Sequence, residues 1–535
     1  MILRRHTLFL ISLLLLLLAI LYINPVREVT VDDGWAYART TQHLFTTREY
    51  KLDAWLAANM PLLAYWGSAF SSILGYSLTT LRISVLVLAF VALMACYGLA
   101  KAHDFTNSQA GLLTLVLATS PLILYLSFVY STDVPHMALL FLAIFLYTSA
   151  LKQGSIKIVF LASVAAAGAI MIRQFGVALL AGLWLCWLFD SRKWQSLPLY
   201  VVGTLLPAGA AIWQIYVGAL APNWAARFVI QVQSTYYAQP LLSLANETIW
   251  RVGITALYLA LFIAPLALIP LREYRRQLRV PARLRHILDV IVISALATFF
   301  FILLSAQRST HLTLMPYLGW NFNVSAYGQL LLSFVLFISS VVLLPVFIQR
   351  VRSFFSLPRH ERLVDLIALS SLGLILLFYK IGDQYLIVLL PFGLIAIGKA
   401  LEQHLLLRKR IITFACVTSL VLASLWIRAG IAYNEATWNA ADSLRLSGVS
   451  PDEIAASWTW NSYYGLFDKY VEFKGEQMPD SFDEFFNEWI PAHQRDARFT
   501  ITNEPETVDG QIVDTFTYYG AFFEPLHMYV VDRQP

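Results

Sequence analysis

Thirteen apolar runs of membrane-crossing length recur along the chain, at roughly 7–24, 78–100, 109–128, 134–151, 157–174, 176–190, 197–218, 250–270, 287–304, 326–348, 363–379, 385–401 and 411–428. Most are apolar on every side rather than on one face, which predicts helices solvated by lipid rather than water, each of about 20 residues at ~1.5 Å per residue. Two regions depart from this pattern. Residues 25–77 carry two stretches of helical patterning rich in aromatics, Trp35 to Phe45 and Asp53 to Ala64, which predict short amphipathic helices lying on the outer leaflet. Beyond Arg428 the pattern becomes mixed, with strand-like alternation at Phe499 to Thr502 and Gln511 to Tyr519. The expected architecture is an all-α polytopic membrane protein, 1–428, carrying a small α+β C-terminal domain, 429–535.

Charge sets the orientation. Residues 429–535 hold 18 acidic and 6 basic side chains, −12, so the first 428 residues carry +17 of the chain's net +5. If the N-terminus is inside, the even-numbered loops are cytoplasmic. They collect Arg272, Arg275, Arg276, Arg279, Arg283 and Arg285, then Arg350, Arg352, Arg359 and Arg362, then Arg408, Lys409 and Arg410. This alternation follows the positive-inside rule, and the odd span count leaves the acidic tail outside. The first run, preceded by Arg4 and Arg5 and ending Tyr22-Ile23-Asn24-Pro25, has no small-residue cleavage site and reads as an uncleaved anchor.

With 13% charged residues, against about a quarter in soluble chains, an ordinary cytosolic enzyme is excluded. The basic residues are absorbed by membrane loops, which leaves no groove for nucleic acid. Cys96, Cys186 and Cys416 sit inside apolar runs without the short spacings of a disulfide framework or zinc site. Zincin, serine-hydrolase and P-loop patterns do not occur.

Chemistry-bearing residues gather instead at the outer ends of the spans. Asp32-Asp33 opens the long first external loop, followed by Trp35 and Tyr37; the pair either caps the next helix or supplies a base facing the headgroups. Asp133 and His136 stand at the mouth between the third and fourth spans, where Thr132 or Asp133 can equally cap a helix begun by Pro135. Arg173 is a lone cation at the outer end of the fifth span, suited by its fork to a phosphate or by its length to snorkelling. Lys380 and Asp383 lie between the eleventh and twelfth runs, and Arg308 and His311 in the external segment 305–325 are weaker candidate contacts.

In their order and common sidedness these motifs resemble the GT-C glycosyltransferases, in particular the bacterial relatives of protein O-mannosyltransferases and of the lipid A aminoarabinose transferase. Asp32-Asp33 with Trp35 to Arg39 looks like the family's acidic opening. Met60-Pro61-Leu62-Leu63-Ala64-Tyr65-Trp66, Leu81-Arg82-Ile83-Ser84, Ser131-Thr132-Asp133-Val134-Pro135, Arg173-Gln174-Phe175-Gly176 and Gly382-Asp383-Gln384-Tyr385-Leu386 with Pro391 follow in family order. Two positions depart: Asn59 replaces a frequent Lys, and Gln384 a frequent Arg, leaving Arg173 and Lys380 as the surviving cations.

The resemblance implies a polyprenyl-phosphate-linked sugar as donor, a lipid, glycan or protein hydroxyl as acceptor, and inversion at the anomeric carbon. It implies Asp32 as base, with Asp33 and Asp133 beside it, and Arg173 and Lys380 on the donor phosphate. Tyr37, His136, Arg308, His311 and Asp383 would supply donor or acceptor contacts. A divalent cation held by Asp33 and Asp133 is the open alternative for neutralising the phosphate. The expected location is the bacterial inner membrane, with site and tail extracytoplasmic. The competing class is a polytopic lipid or solute transporter, a flippase included, which would need polar groups near mid-membrane; these spans carry theirs at the ends.

Overall fold

The computed structural model describes residues 6–190, 193–220, 223–267, 348–378, 383–475 and 484–534. The run expected at 287–304 and all but the last residue of that at 326–348 lie outside the described residues. Among the described residues four helices are long and apolar enough to cross a membrane, and a fifth crossing is made if one bent pair counts as a span. Several further apolar helices are shorter.

Helix α1 (Thr7–Ile23) is apolar all round, with Leu14, Leu18 and Leu21 more than half exposed. In water these would form a sticking patch; against lipid tails they are ordinary surface. The following loop carries α2 (Gly34–Thr47) and α3 (Pro61–Leu74). Here the expected second amphipathic helix is displaced: it begins at Pro61, not Asp53, because proline suits the first helical position where an N–H is unpaired anyway. Asp53 is instead buried in the non-helical connection, accepting from the Trp55 N–H at 3.0 Å and paired with Arg39 Nε at 3.3 Å. Burial pushes its carboxyl up to about 6, against the opposing pull of Arg39 and the Trp55 amide.

Helix α4 (Leu78–Ala102) starts under two caps: Ser77 accepts from the Thr80 amide, and the Glu28 carboxylate accepts from the amides of Leu78 (2.8 Å) and Thr79 (3.1 Å). The run expected as one span at 109–128 is two helices, α5 (Asn107–Ala118) and α6 (Pro121–Ser127), bent by 64°. Pro121 has no N–H to give and pushes Ser120 out of helical geometry, which ends the first helix there. Next come α7 (Asp133–Gln153) and α8 (Ile156–Ile172), folded against each other through Gly154 in the left-handed region at φ +69°. Buried Ala162, Ala166 and Ala169 let α8 approach closely.

Among the described residues the longer helices that follow are α9 (Ala178–Leu188), α10 (Lys193–Leu220), α11 (Trp224–Tyr237), α12 (Leu241–Phe262), α13 (Arg359–Leu377), α14 (Leu390–Ala400) and α15 (Lys409–Leu446). A Cβ on Gly182 of α9 would stand 2.7 Å from the Ile367 Cα of α13, so only glycine permits that crossing. At one end of the bundle Lys152 pairs with Asp104 (2.5 Å), Arg359 with Asp190 (3.3 Å) and Arg350 with Asp365 (2.9 Å), the residues expected on the cytoplasmic side. Among the described residues, those expected outside meet at the opposite end.

Helix α15 runs without interruption through residue 428, where the composition changes, and enters the tail as one of its own elements. The tail adds short helices α16 (Trp458–Tyr463), α17 (Leu466–Lys474) and α18 (Ile490–Asp496) and a four-stranded sheet in the order β1-β2-β4-β3. β1 (Ile454–Ala455) is parallel to β2 (Phe499–Thr502), and β4 (Pro525–Asp532) is antiparallel to β2 and to β3 (Gln511–Tyr519). Both strands expected from the sequence are present.

Candidate active site

At the expected outer end, Asp32, Asp33, Tyr37, Leu126, Val129, Ser131, Asp133, Arg173, Gln384 and Tyr385 line one cavity of about 70 Å³. Residues from four separate stretches of sequence therefore converge. Asp32 sits in the left-handed region at φ +49°, a conformation that Asp and Asn tolerate better than other L-residues. The turn it makes, closed by the Gly34 amide on the Val31 carbonyl at 3.1 Å, starts α2. Asp33 occupies the N-cap position of α2 without any side-chain capping bond; its Oδ1 accepts from Trp55 Nε1 at 2.8 Å. The Tyr125 hydroxyl donates to Asp32 Oδ2. Capping therefore does not explain either carboxylate.

Asp133 begins α7 and is 4% exposed. One oxygen accepts from Ser131 Oγ at 2.9 Å and the other from the Arg173 guanidinium. Arg173 caps α8 in extended geometry, and its guanidinium lies 4.8 Å from the Tyr385 ring centre. Its side chain is partly buried, 14% exposed, and ion-paired with Asp133 rather than extended to the headgroups. Tyr37, on the first turns of α2, has its hydroxyl held neutral: burial raises its pKa, Arg173 opposes this, and Asp33 and Asp133 add to it.

Residues 58–216 match the model of the family described as dolichyl-phosphate-mannose-protein mannosyltransferase. The fold is shared with the apo oligosaccharyltransferase of Archaeoglobus fulgidus at TM-score 0.50 and 14% identity, covering 96% of this chain and 74% of that one. The stretch 58–216 is thus similar to a family of GT-C glycosyltransferases. A weaker likeness connects this chain with ArnT of Cupriavidus metallidurans bound to undecaprenyl phosphate, at TM-score 0.44 and 12% identity over 98% of this chain and 97% of that one. No curated protein sequence matches it.

Of the site residues expected from sequence, Asp32, Asp33, Tyr37, Asp133 and Arg173 are brought together. His136 is not: it lies one turn deeper in α7, fully buried, with Nδ1 3.0 Å from the Ala169 carbonyl, and it does not line the cavity. Lys380, Arg308 and His311 lie outside the described residues, as does the side chain of Asp383, whose backbone opens a short 3-10 turn, Asp383–Leu389.

Other residues at the site went unmarked. Tyr125 lies inside an apolar run, and nothing in the sequence separates it from other aromatic span residues. Arg82, quoted above only as part of a motif, is 3% exposed and donates to the carbonyls of Phe128 (3.0 Å), Pro25 (2.8 Å), Arg27 (2.8 Å) and Val29. It thereby pins the chain before Asp32 to the end of α6, which carries Tyr125. Trp55 is the third: while its Nε1 holds Asp33, its ring packs on the tail residues Phe467 and Trp458, with centroids 4.8 and 5.7 Å away. Arg39, paired with Asp468 at 2.6 Å, makes a second bond between loop and tail.

Among the described residues no three His, Cys, Asp or Glu side chains converge as a metal site. Asp133 accepts from Ser131 Oγ and the Arg173 guanidinium, and Asp33 Oδ1 accepts from Trp55 Nε1.

Proposed function

We propose that the chain is an integral membrane glycosyltransferase that moves a sugar from a polyprenyl-phosphate donor to an acceptor hydroxyl on the extracytoplasmic side, with inversion. The observation that carries this reading is the cavity at the expected outer end of the bundle, where carboxylates meet a partly buried guanidinium. Single displacement needs a base for the acceptor proton as oxygen attacks the anomeric carbon, and Asp32 takes that role. The departing phosphate needs a positive partner; Arg173 supplies it, oriented by Asp133 and flanked by Tyr385, with Lys380 as the second cation. The Tyr125 hydroxyl holds Asp32 in place.

The family match, whose description names a lipid-phosphate sugar donor, supports the donor class. The clustering of ionisable groups at the two ends of the bundle supports interfacial chemistry over transport. The bacterial inner membrane is the proposed location, with lipid, glycan or protein as acceptor. Lipid extraction and mass spectrometry of a deletion strain test the proposal: a polyprenyl-phosphate sugar should accumulate, and an unchanged pool of lipid-linked sugars would overturn it.

A further inference from the structure

A second cavity, of about 210 Å³, lies where the exit of α1, the middle of α15 and strand β3 meet. It shares no lining residue with the first. Its polar walls are Arg27, Arg428, Glu435 and Asn439, facing Phe516 and Tyr518. Arg27 is 8% exposed, and its Nη1 pairs with Glu435 at 2.5 Å, which neutralises the acid. Arg428 donates through Nη1 to the Tyr22 carbonyl at 2.7 Å and lies between the Phe523 and Tyr22 rings, 4.1 and 5.2 Å from their centres. Each guanidinium keeps a buried Nε without a hydrogen-bond partner. Two buried donors beside a net positive charge ask for an anionic oxygen group.

The surroundings say where that group comes from. Tyr22 and Arg428 mark the ends of the first and last apolar runs on the same side. The β3–β4 turn is fixed there by the Tyr22 hydroxyl on the Ala521 carbonyl at 2.6 Å. Its tip leaves Tyr519, Phe522 and Phe523 exposed at 55%, 76% and 58%. Exposed aromatics level with the end of a lipid-facing helix are the signature of the headgroup layer. We propose that this cavity is a lipid site, holding the phosphate of an outer-leaflet anionic phospholipid against Arg428 and Arg27. The acyl chains would run along α1, and the bound headgroup would staple the tail sheet to the membrane. The inference rests on the membrane reading and not on the catalytic one.

The test uses full-length protein exchanged into nanodiscs of phosphatidylcholine with or without phosphatidylglycerol, read by native mass spectrometry and unfolding temperature. Phosphatidylglycerol should be retained and should raise the unfolding temperature. Asn439→Asp, an exposed position that adds one acid to the cavity wall, should weaken retention roughly tenfold, whereas Glu435→Gln, which removes one, should strengthen it. Arg428→Gln should abolish selective retention. Stabilisation by inorganic phosphate equal to that by the lipid, or unaltered retention in Asn439→Asp, would overturn the proposal. Neither result bears on transfer activity, so this failure is distinguishable from failure of the proposed function.

Discussion

Replacing Asp32 with asparagine isolates the base from the scaffold that holds it. Asparagine is one of the few residues at home near φ +49°, so the turn that opens α2 keeps its shape. The Tyr125 hydroxyl can donate to the amide oxygen as it does to Oδ2. Exchanging a charged for a neutral acceptor costs about 1 kcal/mol, the difference between typical hydrogen bonds of the two kinds. Loss of a general base typically costs about 10² to 10⁴ in rate, or roughly 3–5 kcal/mol in the barrier. The variant should therefore insert and melt within a few degrees of wild type, bind donor, and transfer almost nothing. Single-turnover transfer from a polyprenyl-linked sugar in nanodiscs, measured beside donor binding and the unfolding temperature, separates these effects. Transfer within a few-fold of wild type at unchanged stability would remove Asp32 as the base and leave Asp33 or Asp133 in its place.

Arg173→Ala should weaken donor binding more than Arg173→Lys, since Lys keeps the charge and loses the fork; equal donor affinity in wild type and Arg173→Ala would take Arg173 out of the phosphate site. Alanine should also cost about 3–5 kcal/mol of stability, because it leaves Asp133 buried and unpaired. Cysteine placed at Ser450 should be labelled from outside and at Arg276 protected, and the reverse pattern would invert every sidedness assignment. The carboxyl of Asp53, raised to about 6 in the fold, binds its proton more tightly there than in the unfolded chain. Its contribution to stability is thus complete below pH ~4 and lost as pH rises through ~6, by up to roughly 3 kcal/mol; Asp53→Asn should flatten that part of the melting profile, and identical profiles would refute the assignment.

Asp32, Asp33, Asp133 and Arg173 were legible because charge is expensive at the end of a membrane span, so each stood out from apolar neighbours. Tyr125 and Trp55 did not, since aromatics are ordinary in spans and interfaces, and only the fold shows that a hydroxyl and an indole N–H reach the two carboxylates. Arg82 was visible as a charge in an apolar run, but its four carbonyl partners come from two segments distant in sequence. Hydropathy also averages over the backbone: it ran through the bend before Pro121, where α6 begins, and broke at Arg428, where α15 does not end. The residues after 428 are polar yet helix-forming, so lipid exposure and helix end at different places.

That continuity makes α15 a phased rod. At ~1.5 Å per residue its 38 residues span roughly 57 Å, nearly twice the ~30 Å of a hydrocarbon core, with no joint between the part in lipid and the part that carries Trp438 into the tail. A single residue inserted between Arg428 and Glu435 would turn everything beyond it by about 100° and raise it ~1.5 Å. Phe467 and Trp458 would then swing away from Trp55, and Asp468 from Arg39, taking with them the support of Asp33. Adding seven residues, close to two full turns, would bring the tail back to nearly the same azimuth but ~10 Å too far from the bundle. No insertion restores both angle and height, so the number of residues in this helix is itself a dimension of the cavity.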